Sequence, residues 1–205
     1  MRVIIIAFLL AATSIANATE VHVVHDERGF KLQVDGKDML IRGMNWGYSP
    51  IGTNYTYSLW AQPDEFIERV LTRDMELLRA MGVNMIRQGP DIPPRWVEWI
   101  HAKYGIYTMI NHTMGRYGAT IDGVWIPQIN YADPHHRAAL VADIVATVEK
   151  YKNTAGVAIW LLGNENNYGL AWTSFEAEAL PTKDKEDEAR AVHLYSLYGE
   201  AIAAI

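Results

Sequence analysis

The sequence predicts an α/β fold, namely the N-terminal half of a (β/α)8 barrel preceded by a short β-hairpin. Apolar strand segments alternate four times with segments of helical periodicity, and these strands are too apolar to face water on either side. Polar side chains follow each strand directly, which is where the functional groups of a barrel gather.

Alternation and turn residues predict the first strands. Residues 21–34 alternate between polar and apolar side chains around a turn at residues 26–29, the pattern of a β-hairpin. Asp35-Gly36 predicts a second turn, after which the segment from Met39 to Asn45 predicts the first barrel strand. A polar, aromatic loop follows.

The next three strands are predicted at residues 83–89, 106–111 and 156–163, each followed by a loop and a helix. The first helix follows Pro63, and the second takes Asp91 as its cap. The third takes Asp133 as N-cap and Pro134 in its first turn. A charged loop at residues 183–188 leads into the fourth. The predicted apolar helix positions are Phe66, Ile67, Val70, Leu71, Leu77, Leu78 and Met81; Trp96, Val97, Ile100 and Tyr104; Leu140, Val141, Ile144, Val145, Val148 and Tyr151; and Ala189, Val192, Tyr195, Tyr198 and Ile202.

The loops favour a barrel over an open doubly wound sheet. A dinucleotide-binding sheet would carry G-x-G-x-x-G after its first strand, whereas this chain has GMNWGYSPIG there. The strand ends instead carry polar pairs: Asn45-Trp46, Arg87-Gln88, Asn111-His112 and Asn164-Glu165. A complete barrel takes about 250 residues, so we expect residues 19–205 to be an incomplete barrel domain with strands one to four of a longer protein.

Composition excludes several classes of function. The 205 residues include 18 basic and 24 acidic side chains without a basic run, which argues against a nucleic-acid partner. There is no cysteine, so disulfides, thiolate metal sites and cysteine nucleophiles are excluded. The adjacent His135 and His136 diverge on a helix, and no H-E-x-x-H or G-x-S-x-G occurs, so we predict no metal, no cofactor and no serine hydrolase.

The N-terminus predicts a secretory signal peptide at residues 1–18. Arg2 precedes an apolar run at residues 3–12, and the small-residue triplet at 16–18 fits a cleavage site. The apolar run is shorter than the roughly 20 residues of a membrane-spanning helix. We therefore expect a secreted or periplasmic protein without stable membrane insertion after cleavage, with an uncleaved anchor as the alternative.

The most informative segment is the apolar strand that ends at Gly163 and then presents Asn164 and Glu165. Partial desolvation of a carboxyl group at the mouth of an apolar barrel favours its neutral form, which suits a general acid. Taken alone, these residues leave open whether Glu165 is catalytic or only a charge at the start of a helix.

Three segments carry a family resemblance: FKLQVDGKDMLIRGMNWG, DMELLRAMGVNMIR and WLLGNEN. Across roughly residues 29–170 the chain resembles the N-terminal half of the catalytic barrel of family 2 glycoside hydrolases and their retaining (β/α)8 relatives. The resemblance implies that Glu165 is the general acid/base, that Asn164 holds the sugar 2-hydroxyl and that Arg87 supports the nucleophile. It also implies a nucleophilic glutamate at the end of strand seven, so we expect this chain to be inactive alone.

Other strand-end residues are candidate contacts to a carbohydrate substrate. His112 is predicted to bind the sugar next to the cleaved bond or else to be a hydrogen-bonded structural histidine. Asn45 lies at the end of strand one, and aromatic side chains that could stack on a saccharide lie in the loops: Trp46, Tyr48, Trp125, Tyr168 and Trp172.

The end of strand three reads MINHTMGRYG and lacks the acidic cluster found there in many family 2 members. The strand-one end, IRGMNWGYSP, is also similar to barrel transglycosidases that remodel β-glucans. The sequence therefore predicts an O-glycosyl hydrolase acting on a poly- or oligosaccharide by a retaining double displacement. A β-glucan transglycosidase and a non-catalytic carbohydrate-binding half-barrel are the alternatives.

Overall fold

The structure, a computed structural model, describes residues 18–54, 56–166 and 183–205. The side chains of residues 183–191 and the predicted signal segment up to residue 17 lie outside the described part. In chain order the described elements are β1 (Val21–Asp26), β2 (Gly29–Val34), β3 (Lys37–Met39), β4 (Gly43–Asn45), a 3₁₀ turn (Leu59–Ala61), α1 (Asp64–Ala80), β5 (Met85–Gln88), α2 (Pro94–Tyr104), β6 (Tyr107–His112), β7 (Ala119–Ile121), β8 (Val124–Ile126), α3 (Pro134–Tyr151), β9 (Val157–Leu162) and α4 (Lys183–Ala204).

The central sheet is parallel and has the order β4-β5-β6-β9, so that each strand pairs with the next one along the chain. Its register places Asn45 level with Arg87, and Arg87 level with Met109. Helices connect the strands, which confirms the predicted α/β class. The described strands form an open sheet and do not close into a barrel.

The first barrel strand is shorter than predicted. The segment from Met39 to Asn45 is divided between β3, which pairs antiparallel with β2, and β4, which pairs parallel with β5. The chain must change sheets between the two, and the Asn84 side chain holds the connecting residues. It accepts a hydrogen bond from the Arg42 N–H (2.8 Å) and donates one to the Leu40 carbonyl (2.9 Å).

The antiparallel sheet β1-β2-β3 lies at the N-terminal ends of the parallel strands. The Tyr107 hydroxyl, at the start of β6, donates to the Asp35 carboxylate (3.1 Å). The Gly156 N–H, just before β9, donates to the Thr19 hydroxyl (2.7 Å). This sheet therefore lies at the opposite end of the strands from the polar strand ends.

Two hydrophobic clusters cover the sheet. The larger joins α1 and α2 to the strands and includes the predicted inner face of α2, all of which is buried: Trp96, Val97, Ile100 and Tyr104. The smaller joins α3, α4 and the segment after β6, and contains Met114, Ile121, Ile129, Leu140, Ile144, Leu197 and Ala201. Arg137 of α3 reinforces the second cluster through an ion pair with Glu200 of α4 (2.5 Å).

Two predicted helix faces need correction. Leu77 and Met81 follow the periodicity of α1, yet both are exposed. In α4 the prediction named Ala189, Val192, Tyr195, Tyr198 and Ile202. Tyr198 packs against the smaller cluster as predicted, whereas Val192, Tyr195 and Ile202 are exposed, and the side chain of Ala189 lies outside the described part. The buried residues of this helix that contact α3 are instead Leu194, Leu197 and Ala201, because the helix offers apolar side chains on both faces and periodicity alone does not distinguish them.

The predicted starts of the helices are confirmed for α3 but not for α2 and α4. Asp133 caps α3 as predicted, because its carboxylate accepts from the N–H groups of His135 (2.8 Å) and His136 (3.3 Å). Asp91 does not cap α2, since Pro93 occupies the cap position without a side-chain hydrogen bond. Residues 183–188, predicted to be a loop, form the first turns of α4.

The segment before α3, predicted to be a loop, contains the β-hairpin β7-β8. Asp122 and Gly123 form its turn with φ of 50° and 77°, the left-handed pair that a two-residue hairpin turn requires. No helix in the described residues is long and apolar enough to cross a membrane.

Candidate active site

Arg87 connects three strand ends. Because the strands are parallel, their carboxyl ends meet at one edge of the sheet, where Arg87 is half-buried. Its Nε donates to the Asn111 side-chain oxygen (2.6 Å), and its Nη2 donates to the side-chain oxygens of Asn111 and Asn164. The structure therefore brings together Arg87 and Asn164, which are 77 positions apart.

Asn111 is a site residue whose role the sequence did not indicate. It is buried, and its amide nitrogen donates to the Gly163 carbonyl (3.1 Å), so it joins Arg87 to the end of β9. Both hydrogen-bond partners of Arg87 among the described residues are neutral amides. The guanidinium charge is therefore not neutralised by a carboxylate within that part of the chain.

The turn that presents Glu165 is fixed by its neighbours. Gly163 has φ of 113°, and its N–H donates to the His112 carbonyl (2.6 Å). A Cβ at Gly163 would lie 2.7 Å from the Asn166 side-chain oxygen, so a larger residue would displace the turn. That oxygen accepts from the Asn164 N–H (2.6 Å), and the Asn166 amide nitrogen donates to the Thr113 carbonyl (3.2 Å). Asn166 is 5% exposed and thus ties the loop after β9 to the loop after β6.

Glu165 lies at the exposed edge of this turn in the left-handed region, with φ of 56°. The described residues therefore do not bury the Glu165 side chain, whereas the sequence led us to expect that it is partly desolvated. The Tyr117 hydroxyl donates to Glu165 Oε2 (3.4 Å) and accepts from the Asn164 amide nitrogen (2.5 Å). Arg116 Nε donates to the Glu165 carbonyl (3.2 Å).

Tyr117 and Arg116 were not predicted as site residues. They lie on the loop after β6, five and four positions past the end of that strand. The sequence signal that could have indicated them is weak, namely a polar aromatic pair following a strand end.

His112 makes the hydrogen bonds that its structural alternative leads us to expect. Its side chain is buried, Nδ1 accepts from the Met114 N–H (3.1 Å), and Nε2 lies 2.8 Å from the Asp143 carboxylate of α3. Since Nδ1 is the acceptor, Nε2 carries the proton and donates to Asp143. Both ring nitrogens thus have partners within the chain.

Of the aromatic residues predicted to stack on a saccharide, some pack against other side chains and one is exposed. Trp46 is half-buried and packs against the larger hydrophobic cluster, and its indole N–H donates to Asp74 of α1 (3.1 Å). Tyr48 packs against Tyr57 and Phe66. Trp125 is exposed on β8, and Asn45 is exposed at the end of β4. Tyr168 and Trp172 lie outside the described residues.

Among the described residues, no group of three or more His, Asp or Glu side chains could hold a metal ion.

The hydrogen bond from His112 holds the pKa of Asp143 below its ordinary value of 3.8. A carboxyl group with a lowered pKa in the folded state adds stability above its ordinary pKa, and loses this contribution as the pH falls through the folded-state value. We expect Asp143→Asn to destabilise the chain at pH 7, and the difference from the native chain to shrink as the pH is lowered below 3.8. Urea unfolding at pH 7 and at about pH 3 measures this difference.

Asp122→Asn is the matched control. Asp122 makes the same type of contact with His135 (2.8 Å), but both side chains are well exposed, and asparagine tolerates its left-handed backbone. We expect little change at either pH. An Asp143→Asn effect of equal size at both pH values would contradict the assigned hydrogen bond.

Comparison with known proteins identifies the family of the chain. Residues 27–203 match the family model described as glycosyl hydrolases family 2, TIM barrel domain. The chain belongs to this family. Its four parallel strands and the residues at their carboxyl ends are thus part of a family 2 TIM-barrel domain.

Relatives of the chain include the β-galactosidase of Actinobacillus pleuropneumoniae, which is 28% identical over 151 residues, covering 60% of this chain and 14% of that protein. The β-galactosidase of Vibrio cholerae is 30% identical over 141 residues, covering 67% of this chain and 12% of that protein. The chain therefore spans a small part of the length of these relatives.

Solved structures show the same fold. The β-glucuronidase 2 of Bacteroides uniformis superposes with a TM-score of 0.55 at 15% identity, covering 91% of this chain and 18% of that one. The β-glucuronidase of Parabacteroides merdae superposes with a TM-score of 0.53 at 20% identity, covering 90% and 19%.

Proposed function

We propose that this chain is the N-terminal half of the catalytic barrel of an exported glycoside hydrolase that cleaves O-glycosyl bonds with retention of configuration. The observation that carries the proposal is the presentation of Glu165 at the end of β9, on a turn joined to Arg87, Asn111 and Asn164. A carboxyl group held at the carboxyl end of a barrel strand is placed for proton transfer to a bound substrate.

Glu165 would act twice in a double displacement. As a carboxylic acid it protonates the leaving oxygen while a nucleophilic carboxylate forms a glycosyl-enzyme bond, and as a carboxylate it then deprotonates the water that hydrolyses this bond. Its exposed position leaves room for both the leaving group and the water.

Asn164 retains capacity for a substrate contact. Its side-chain oxygen accepts from Arg87 and its amide nitrogen donates to Tyr117, which leaves one lone pair and one N–H. Either can meet a sugar 2-hydroxyl. The two existing contacts fix the orientation of the amide before the sugar arrives, so less conformational entropy is lost on binding.

Arg87 supports the proposal through its charge. Retaining hydrolysis requires a second carboxyl group about 5 to 5.5 Å from the first. We assign the nucleophile to barrel strand seven, outside this chain, and infer that Arg87 holds it. A half-buried guanidinium with two neutral amide partners is suited to pair with an anionic carboxylate. By this proposal the chain alone lacks hydrolytic activity.

The named relatives suggest the substrate class. Several curated relatives are β-galactosidases, and the two solved structures are β-glucuronidases. We propose that the complete protein acts on β-glycosides of a hexopyranosyl sugar.

The complete protein, with barrel strands five to eight, would be assayed with aryl β-galactoside, β-glucuronide and β-glucoside. Proton NMR would identify the anomer that forms first. We expect turnover of at least one substrate, with the β-anomer as first product. An α-anomer would exclude the retaining mechanism, and saturable binding without turnover would favour a carbohydrate-binding protein. Transfer of the glycosyl group to a β-glucan in preference to water would identify a transglycosidase.

Export is proposed from residues 1–18 alone. N-terminal sequencing of the protein secreted by its host should begin at Thr19. A sequence that begins at Met1 would contradict cleavage.

A further inference from the structure

A series of three hydrogen bonds joins Arg87 to Glu165. Arg87 Nη2 donates to the Asn164 side-chain oxygen, and the Asn164 amide nitrogen donates to the Tyr117 hydroxyl (2.5 Å). The Tyr117 hydroxyl in turn donates to Glu165 Oε2 (3.4 Å). The series therefore begins in β5 and connects the loop after β9 with the loop after β6.

The direction of these hydrogen bonds is fixed by the chemistry of the end groups. A guanidinium group has no acceptor, so the Asn164 amide must present its oxygen to Arg87 and its nitrogen to Tyr117. The Tyr117 oxygen accepts from Asn164, and its single proton is available to Glu165. An ionised carboxylate is an acceptor only, which agrees with this direction. Every donor in the series thus points toward Glu165, an arrangement in which hydrogen bonds strengthen one another.

The loop that carries Tyr117 is anchored on both sides of this residue. Met114 has φ of 52° and is fully buried in the smaller hydrophobic cluster. Gly115 has φ of 70°, and a Cβ there would lie 2.7 Å from Ile129 Cγ1, so this position requires glycine. The Gly118 N–H donates to the Gly115 carbonyl (3.0 Å) and closes a turn around Tyr117. The position of the Tyr117 side chain is therefore set by the loop itself.

Residues 116 and 117 together hold Glu165. The backbone of Glu165 has φ of 56°, a conformation that is unfavourable for a residue with a Cβ. Arg116 Nε donates to the Glu165 carbonyl (3.2 Å), while Tyr117 contacts the carboxylate. The Arg116 guanidinium also lies over the Tyr117 ring, 5.4 Å from its centre. The loop after β6 thus engages both the backbone and the side chain of Glu165.

The Tyr117 contact distinguishes the two oxygens of the Glu165 carboxyl group. In the first step of the proposed reaction, the nucleophile bonds to the anomeric carbon as the bond from that carbon to the leaving oxygen breaks. The leaving oxygen keeps the electron pair of this bond and takes the Glu165 proton, so that Glu165 becomes an anion. Because Oε2 faces the Tyr117 hydroxyl, the proton is carried by Oε1, and the negative charge that forms is stabilised at Oε2.

We propose that Tyr117 is a positioning residue that orients the Glu165 carboxyl group for proton transfer and connects it, through Asn164, to Arg87. This inference rests on the proposed function, in which Glu165 is the acid and Arg87 holds the nucleophile. It assigns Oε1 as the proton-donating oxygen, and it links the groups that hold the two carboxylates of the reaction.

The test is Tyr117→Phe in the complete protein, which removes the hydroxyl and keeps the ring beside Arg116. The substrates are a benzyl β-glycoside, whose leaving oxygen needs a proton, and the 2,4-dinitrophenyl glycoside of the same sugar, whose leaving oxygen does not. For the benzyl glycoside we expect kcat/KM, which reports on the first step, to fall about tenfold, the size expected for one hydrogen bond to an ionised group. For the dinitrophenyl glycoside we expect a much smaller loss.

Tyr107→Phe is the matched control. The Tyr107 hydroxyl also donates to a carboxylate, that of Asp35 (3.1 Å), but it does so at the opposite end of the strands. We expect kcat/KM for both substrates to equal that of the native protein.

A double-mutant cycle tests whether Tyr117 acts through Glu165. In the Glu165→Gln background this position has no proton to transfer, so adding Tyr117→Phe should lower turnover of the benzyl glycoside little further. Losses that multiply would show that Tyr117 acts independently of Glu165, and would overturn the proposal.

Equal losses for the benzyl and dinitrophenyl glycosides would also overturn the proposal, because they indicate a general structural role for Tyr117. Native turnover by Tyr117→Phe together with a loss in Glu165→Gln would overturn the role of Tyr117 and leave the proposed function standing. Absence of turnover of both substrates by the native complete protein would overturn the proposed function, and the role of Tyr117 with it.

Discussion

Replacing Glu165 by Gln is expected to lower turnover of an unactivated glycoside by the complete protein about 10²- to 10⁴-fold, the usual contribution of general acid/base catalysis. The side-chain amide of Gln keeps the shape of the carboxyl group and can still accept the hydrogen bond from Tyr117. It cannot transfer a proton to the leaving oxygen. The measurement is steady-state kcat and KM, in which we expect the loss in kcat.

Two comparisons make this result specific to proton transfer. Glu149→Gln changes an exposed glutamate on α3 that pairs with Lys152, and should leave turnover unchanged. A 2,4-dinitrophenyl glycoside releases a leaving group that needs no protonation, so cleavage of its glycosidic bond by Glu165→Gln should be much less impaired. Unchanged turnover of an unactivated substrate by Glu165→Gln would exclude Glu165 as the acid.

Leu71→Ala is expected to lower the free energy of unfolding by about 2 to 5 kcal/mol, the range measured for leucine truncation in protein cores. Leu71 is fully buried in the larger cluster between α1 and the sheet. Truncation removes apolar contacts and leaves a cavity that the neighbouring helix can fill only in part. Urea unfolding of the chain at pH 7 measures the change.

Leu77→Ala is the matched control on the same helix. The residue type and the substitution are identical, but Leu77 is 61% exposed, so we expect a change within about 0.5 kcal/mol. Similar losses for the two variants would show that the packing of α1 against the sheet differs from the described arrangement.

The order of strands and helices could be predicted from the sequence because it depends on local signals. Proline and glycine mark the ends of α1 and α2, Asp133 caps α3, and the apolar strands are short and bounded by turn residues. For the same reason, the prediction placed Arg87 and Asn164 at the carboxyl ends of strands in one parallel sheet, and the structure joins their side chains across the intervening strand β6. Only the strand order and the parallel direction are needed for that inference.

The contacts that decide the role of each site residue could not be predicted, because they join distant positions. His112 is held by Asp143, 31 residues later, and Trp46 by Asp74, 28 residues later. Neither pair has a local sequence pattern, so a histidine and a tryptophan at strand ends were assigned to the substrate. Three-dimensional packing of α1 and α3 against the sheet instead engages their polar atoms.

The β7-β8 hairpin was missing from the sequence prediction for a different reason. Its signal was present, since Asp122-Gly123 lies between two short and mainly apolar segments, Ala-Thr-Ile at 119–121 and Val-Trp-Ile at 124–126. Aspartate followed by glycine between apolar segments is a strong indication of a two-residue hairpin. The strands are only three residues long, which made the segment resemble the loops around it.

The strand order of the central sheet has a consequence for synthesis on the ribosome. Because β4, β5, β6 and β9 pair in the order in which they are translated, each new strand finds its partner already made. At about 5 to 20 residues per second, neighbouring strands emerge a few seconds apart, which is long compared with the formation of a single helix. Each strand can therefore take its register from its predecessor, and an error in one strand would pass to every strand added after it.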